Sequence, residues 1–226
     1  PSGIPDFRSP ESGLWERTDP LRAASIWGFR ADPGAFYEWI APLSDKMLHA
    51  TPNPAHRALV KLERLGRLRA IITQNIDGLH QKAGSRRVLE LHGHVRQAHC
   101  VECGSVVDVG REFVEQVNRR ELPRCPACFG ILKPAVVLFG EALPREVLEE
   151  ARREATSCDL MLVAGSSLEV APAADLPWLA VRAGAKVILV NLQPTPFDSL
   201  AEVVIREDVA DALPAIARAV RSRLRA

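Results

Sequence analysis

From residue 53 onward the chain alternates two hydrophobic patterns: short runs of consecutive apolar residues, and longer stretches with apolar positions three and four apart. The first pattern belongs to buried strands and the second to amphipathic helices. Asn53 and Pro54 open a helical stretch that Gly66 ends, with Asn53 as cap and Pro54 at the first helical position. Apolar runs at 68–73, 88–91 and 135–139 predict strands. A charged helix is expected over 144–155. The run at 159–164 is apolar almost throughout, the pattern of a strand covered on both faces. A helix over 173–183, stopped by Gly184, leads to strands at 186–190 and 203–205. Asp208 then caps a closing helix over 209–224, whose basic residues gather in its final turns and suit its dipole. Strands separated by helices predict an α/β fold built on a doubly wound parallel sheet. Two regions break the rhythm. Residues 1–56, rich in Pro, Gly and Trp, read as loops and short helices, and 94–134 reads as a small module inserted into the main domain.

The strand ends carry the candidate chemistry, because ligands in open α/β sheets bind outside the carboxyl ends of the strands. The 68–73 run stops at Gln74-Asn75-Ile76-Asp77, which offers amide and carboxylate groups to a polar ligand. The 88–91 run stops at His92-Gly93, so the two ends are expected to face one crevice. Taken alone, the same residues also suit an ordinary polar loop. Gly165-Ser166-Ser167 and Asn191-Leu192 repeat the arrangement: small residues let a ligand approach the backbone, and hydroxyl or amide groups bond phosphate or ribose. Each of these turns is weak evidence alone; three polar strand ends in one parallel sheet point to a nucleotide. Gly140 has room for an extended peptide beside it, and Leu168-Glu169-Val170 shows strand-like alternation, so the two segments suit a peptide held by strand addition. Glu141 otherwise reads as a solvated charge.

Cysteine usage adds a metal. Cys100 and Cys103 form one Cys-x-x-Cys pair, Cys125 and Cys128 a second, with 21 residues between them. This is the spacing of a tetrathiolate zinc site, closed and therefore structural. A nucleic-acid-binding ribbon is disfavoured by mixed charge and a single aromatic, Phe113, between the pairs. Cys158 stands apart and reads as a buried small apolar residue. The net charge is +1 over 226 residues, which gives no electrostatic case for nucleic acid or an anionic membrane. No apolar run approaches the length of a membrane span. Metal-type thiols and no export signal set the expectation of a cytoplasmic protein.

These residues, in this order, resemble those of the sirtuins, NAD-dependent protein-lysine deacylases, and most of all their bacterial and archaeal members. The resemblance runs through Ser2-Gly3-Ile4-Pro5-Asp6-Phe7-Arg8, Thr73-Gln74-Asn75-Ile76-Asp77, His92-Gly93, the two cysteine pairs, the stretch Lys133-Pro134-Ala135-Val136-Val137-Leu138-Phe139-Gly140-Glu141, Gly165-Ser166-Ser167-Leu168 and Val190-Asn191. It covers essentially the whole chain. It implies a catalytic domain over 1–226 with a helical insert at 9–56, a zinc-binding module at 94–134 and a Rossmann-like remainder that binds NAD. It implies cofactor contacts from Phe7 and Arg8 in a loop, from Gln74, Asn75, Ile76 and Asp77 on the nicotinamide side, and from Gly165, Ser166, Ser167, Asn191, Leu192, Gln193 and Val209 on the adenosine side. Val137, Phe139, Gly140, Leu168, Glu169 and Val170 would flank an acyl-lysine protein or peptide. His92 would act as general base on a ribose hydroxyl, with Asn75 as its catalytic companion, and the products would be free lysine, nicotinamide and O-acyl-ADP-ribose.

Two departures from the family pattern set further expectations. The chain opens inside the first motif, without the strand and Gly-Ala-Gly loop that bring backbone amides to the diphosphate. It is read as a fragment or a misassigned start, and a chain truly beginning at Pro1 is expected to bind NAD poorly. Relatives that remove succinyl or malonyl groups carry Tyr-x-x-Arg in the helical insert; here Tyr37 fits but Ile40 stands where Arg would pair with an acidic acyl group. Acetyl or longer apolar acyl groups are therefore expected over succinyl, with Tyr37 as a plain core aromatic an equal reading. The competing functions are protein mono-ADP-ribosyl transfer and a non-catalytic NAD- or peptide-binding fragment. NAD hydrolysis would leave the peptide segments and the zinc module without purpose.

Overall fold

The computed structural model describes residues 2–4 and 24–225. The chain divides into two compact units, each built from several chain segments.

The cysteine unit comprises Pro1–Thr51, Asn75–Gly78 and His92–Leu143. Helix α1 (Ile26–Ala31) and helix α2 (Pro33–His49) open its described part. Ser25 caps α1 by accepting from the Gly28 amide at 3.0 Å, and Asp32 caps α2 by accepting from the Ala35 amide at 3.0 Å. Phe36, Ile40, Leu43 and Met47 recur at helical spacing on α2 and bury one stripe. Phe29 stands edge-on to Phe36 with ring centres 5.1 Å apart, and the cluster extends to Val117, Val136 and Leu138. The sheet of this unit is antiparallel: β3 (Gly93–Cys100) lies between β4 (Val106–Asp108) and β5 (Leu132–Val136), and α5 (Arg111–Asn118) packs on α2.

The parallel unit comprises Pro52–Gln74, Leu79–Leu91 and Pro144–Ala226. Its strands are β1 (Ile71–Thr73) and β2 (Val88–Glu90), paired in parallel, and β6 (Leu160–Ala164), β7 (Lys186–Val190) and β8 (Val203–Ile205), also parallel with β7 central. Helix α3 (Pro54–Arg64) starts at Asn53, whose side chain accepts from the His56 amide at 3.2 Å. It packs on α8 (Val209–Arg223), where Ala55, Ala58 and Leu62 meet Leu213 and Ala217. The short helix α4 (Leu79–Ala83) follows β1. Helix α6 (Arg145–Ser157) buries Ala151 and Ala155 completely and packs on α7 (Leu176–Arg182) and β2. Arg87 joins α6 through Glu150 and Glu154, both at 2.7 Å.

Several expectations are corrected. The strand predicted at 135–139 is β5, shifted to Leu132–Val136 and antiparallel to β3. Pro134 cannot donate to a ladder, and β5 accordingly takes a sheet edge. Phe139 pairs instead with Ser25 as an isolated parallel bridge, its amide donating to Ala24 O at 2.9 Å. The run at 159–164 is not covered on both faces: Leu160 is 48% exposed, and β6 has β7 as its only strand partner among the described residues. Residues 168–170 form no strand, because Leu168 sits at φ +54°, in the left-handed region. The parallel strands and the helices between them are those of the expected α/β class; among the described residues they are hydrogen-bonded as a two-stranded and a three-stranded sheet.

Candidate functional site

In the cysteine unit the polar turn after β1 is fastened to β3. The Val95 amide donates to Ile76 O at 3.4 Å, and Gly78 turns the chain at φ +69°. Ile76 packs on the aromatic cluster, Asp77 is half-buried and Asn75 is exposed. His92 is half-buried and held by its backbone: its carbonyl accepts from the Val137 amide at 2.9 Å. Gly93 fixes the next residue, at φ +72°, where an added Cβ would lie 2.0 Å from Ala135 O. Asn75, Ile76, Asp77, His92 and Val137 therefore share one frame, set by main-chain bonds to β3 and to the segment leaving β5.

The same unit contains a cavity of about 200 Å³. Tyr37, Ile40, Ile76, Phe113 and Val136 give it mostly apolar walls, with Asp77 and Arg96 as its charged lining. Tyr37 is only 2% exposed and donates its hydroxyl to Leu132 O at 2.5 Å. Burial raises its phenol far above the ordinary range. Tyr37 is thus a core aromatic and a cavity wall at once.

Gly140 does not leave an open lane. At φ +87° its missing Cβ is replaced by the ring of Trp27, whose nearest atom would be 2.3 Å away. Trp27 is 62% exposed and Phe139 38% exposed. Glu141 is not a solvated charge: it pairs with Lys133 at 2.9 Å and accepts from the Leu138 amide at 2.8 Å.

The four cysteines converge. All four Sγ atoms lie within 4.8 Å of one another, with Cys100–Cys128 at 3.4 Å and Cys103–Cys125 at 3.7 Å. Four thiolates around one zinc place their sulfurs about 3.8 Å apart, so the donor set fits a single tetrahedral ion. Two tight turns hold them: Gly104 N donates to Cys100 O at 3.0 Å, and Phe129 N to Cys125 O at 2.9 Å. Gly130 is required there, since a Cβ would fall 2.9 Å from Cys100 Sγ. The thiols are driven apart in acidity. Ser105 holds Cys103 down to about 6, while Cys128, although drawn down by the Gly130 amide, is pushed up to about 12 by the neighbouring sulfurs. A dication is what such a crowded set accommodates in fully ionised form. Cys158 is half-buried, with burial raising its thiol.

In the parallel unit the ends of β6 and β7 meet the start of α8. Gly165, at φ +61°, donates its amide to Val190 O at 2.9 Å, and a Cβ there would be 3.6 Å from Val209 Cγ1. Ser166 Oγ accepts from the Leu168 amide at 3.3 Å, closing a tight turn that also contains Ser167. Asp208 caps α8, accepting from Ala210 N at 2.7 Å. Asn191 is buried, its amide donates to Ile205 O at 3.0 Å, and its side chain donates to Gln193 O at 2.8 Å. Leu192 is 61% exposed. Gly165, Asn191 and Val209 are thus brought together around bare backbone at a parallel-strand end, an arrangement that fits a nucleotide. Glu169 and Val170 follow this turn, and Gln74 ends the β1 segment of the same unit. Phe7 and Arg8 lie outside the described residues.

Two polar groups escaped the reading of the sequence. His80 lies tilted against buried His56 with ring centres 4.7 Å apart; burial, reinforced by His56 and opposed by Glu90, lowers its pKa to about 4. Arg206 ties the loop after β7 to Asp198. Neither belongs to a recognisable spacing.

Residues 1–172 match the Sir2 family. The chain is 52% identical over 225 residues to NAD-dependent protein deacylase 2 of Archaeoglobus fulgidus, covering 99% of this chain and 87% of that protein. Among solved structures, a complex of a Sir2 homolog with NAD superposes with a TM-score of 0.91 at 40% identity, covering 99% of this chain and 85% of that one. A Sir2 enzyme with a deacetylated p53 peptide and 3'-O-acetyl-ADP-ribose gives 0.89 at 41% identity, covering 98% and 87%. With the strand-end residues and the four cysteines in place, the chain belongs to the Sir2 family.

Proposed function

We propose that this chain removes acetyl or other apolar acyl groups from protein lysines in a reaction that consumes NAD and one water and yields free lysine, nicotinamide and O-acyl-ADP-ribose. The observation that carries the site assignment is the shared frame of Asn75–Gly78, His92 and Val137, joined by two backbone hydrogen bonds inside one unit. NAD, when bound, would supply a ribose whose anomeric carbon can exchange nicotinamide for the acyl oxygen. Asn75 and Asp77 orient the nicotinamide half through amide and carboxylate groups, and Ile76 excludes water beside them. His92 accepts the proton of a ribose hydroxyl, a task suited to an imidazole near neutral pH. Gly165, Ser166, Ser167 and Asn191 receive the adenosine half, with Leu192, Gln193 and Val209 around it. Val137 and Phe139, on the segment leaving β5 in the cysteine unit, are the residues assigned to the peptide. Cys100, Cys103, Cys125 and Cys128 hold a structural zinc that orders β3, β4 and β5.

The domain plan that goes with this reading is one catalytic domain over 1–226 with a helical part at 9–56 and a metal module at 94–134. Among the described residues no helix is long and apolar enough to cross a membrane. The need to keep four metal-binding thiols reduced supports a cytoplasmic setting.

His92→Ala is expected to keep the fold and NAD binding and to lose acetyl-lysine turnover by about a hundred- to ten-thousandfold, the worth of a general base. Mass spectrometry of an acetyl-lysine peptide with NAD reads both peptide and nucleotide products. ADP-ribose found on protein instead of O-acetyl-ADP-ribose would favour the transferase reading. The apolar cavity wall at Tyr37 and Ile40 supports apolar over succinyl groups. Ile40→Arg should raise desuccinylation about tenfold, the scale of one charge-assisted contact; a wild type that already prefers succinyl-lysine would end the assignment of that wall.

A further inference from the structure

We propose that Arg206 is a positioning residue for NAD, holding the backbone of Asn191–Gln193 in the shape that receives the adenosine half. This rests on the assignment of the β7 end to that half. Arg206 follows β8, and its guanidinium reaches back along the neighbouring strand end. Nη1 donates to Asn191 O at 3.1 Å and to Gln193 O at 3.0 Å, while Nη2 pairs with the Asp198 carboxylate. One side chain thus ties the start of the 191–198 loop to its end.

The rest of the network shows what Arg206 adds. Asp198 Oδ1 accepts from Thr195 N at 3.0 Å and from Thr195 Oγ1 at 2.8 Å. The Thr195 hydroxyl and amide, with Arg206, hold that carboxyl below its ordinary range. Phe197 is fully buried and stands edge-on to Trp178 at 5.3 Å. Residues 195–198 therefore have their own apolar anchor in the core. Residues 191–194 do not: Leu192 and Gln193 are exposed. Besides the Asn191 amide bond to Ile205 O and the Asn191 side-chain bond to Gln193 O, Arg206 gives this stretch its long-range tie. A planar fork with several donors suits two carbonyls and a carboxylate lying in different directions, whereas the ammonium of lysine is a single point on a flexible stem. Loss of Arg206 should loosen the ligand-facing stretch and leave the core packing at Phe197 intact.

Steady-state kinetics of the full chain, with NAD and an acetyl-lysine peptide varied in turn, test the assignment. Arg206→Met is expected to raise KM for NAD about tenfold, the scale of one lost charged hydrogen bond, with kcat and peptide KM within about twofold and an unchanged melting temperature. Arg206→Lys should fall between. Asn191→Ala is the control for the underlying reading. If Asn191→Ala raises KM for NAD and both Arg206 variants leave it unchanged, the positioning role is overturned while the adenosine assignment stands. If neither position affects KM for NAD, the assignment of the β7 end fails and the proposal with it. A parallel fall in kcat, peptide affinity and melting temperature in both Arg206 variants would make Arg206 a purely structural residue and overturn the proposal.

Discussion

The cysteine unit and the parallel unit hold their candidate site residues by different physical means. Around His92 the bonds are main chain to main chain, and two glycines, Gly78 and Gly93, take backbone angles that side chains resist. The sheet they adjoin has three antiparallel strands, and four thiols converge in the same unit. Around Asn191 the sheet is parallel, and side chains add to the backbone bonds of Gly165 and Asn191: Arg206, Asp198, Thr195 and the capping Asp208. The first arrangement is stiff but intolerant of added atoms and dependent on a metal; the second can be loosened one side chain at a time. General-base chemistry needs the first kind of support, since a misplaced proton acceptor loses rate steeply. A nucleotide site tolerates the second.

The contrast can be broken, most severely, by removing the metal. Chelation should withdraw on the order of 10 kcal/mol of ordering free energy from the cysteine sheet. Amide exchange is expected to rise across β3, β4 and β5 while α3 and α8 stay protected; equal loss in both units would refute their separate support. Gly93→Ala comes next. Its Cβ meets the Ala135 carbonyl rather than a movable side chain, and φ is positive, so a loss on the order of 3–5 kcal/mol is expected in denaturant unfolding. A loss under about 1 kcal/mol would show that this backbone yields after all.

The smallest effect tests the parallel unit by pH. The folded-state pKa of His80 is about 4, below the ordinary 6.5. As pH falls through that window the unfolded chain takes up the proton first, so stability is complete above 6.5 and declines toward 4. The loss is about 3 kcal/mol for one group. His80→Gln should flatten this part of the pH–stability curve; an unchanged slope would assign the dependence to other groups.

How much of this was legible in the sequence depends on what each feature is made of. Strands β7 and β8 and the cap of α8 fall where the pattern puts them, because apolar runs and Asp208 announce themselves by residue type. The four cysteines do the same through spacing. Strands β3 and β4 and helix α5 went unread, since the cysteine turns interrupt any period over 94–134. Leu168 misled because a left-handed leucine looks like any leucine. Arg206 was invisible for a related reason: two of its three acceptors are backbone carbonyls, which every residue has. The candidate residues on strand ends were named from the sequence, but the bonds that set their frame, Val95 to Ile76 and Val137 to His92, involve no distinctive side chain.

The indole lying over Gly140 makes this part of the molecule optically addressable. Trp27 is largely in water, and its ring edge occupies the place of a missing Cβ. Its emission should therefore register whatever comes to lie along Phe139 and Gly140. An acyl-lysine peptide seated there would cover or displace the ring, so binding would be visible without a label, and Trp27→Phe would silence that signal while the other tryptophans remained as an internal reference.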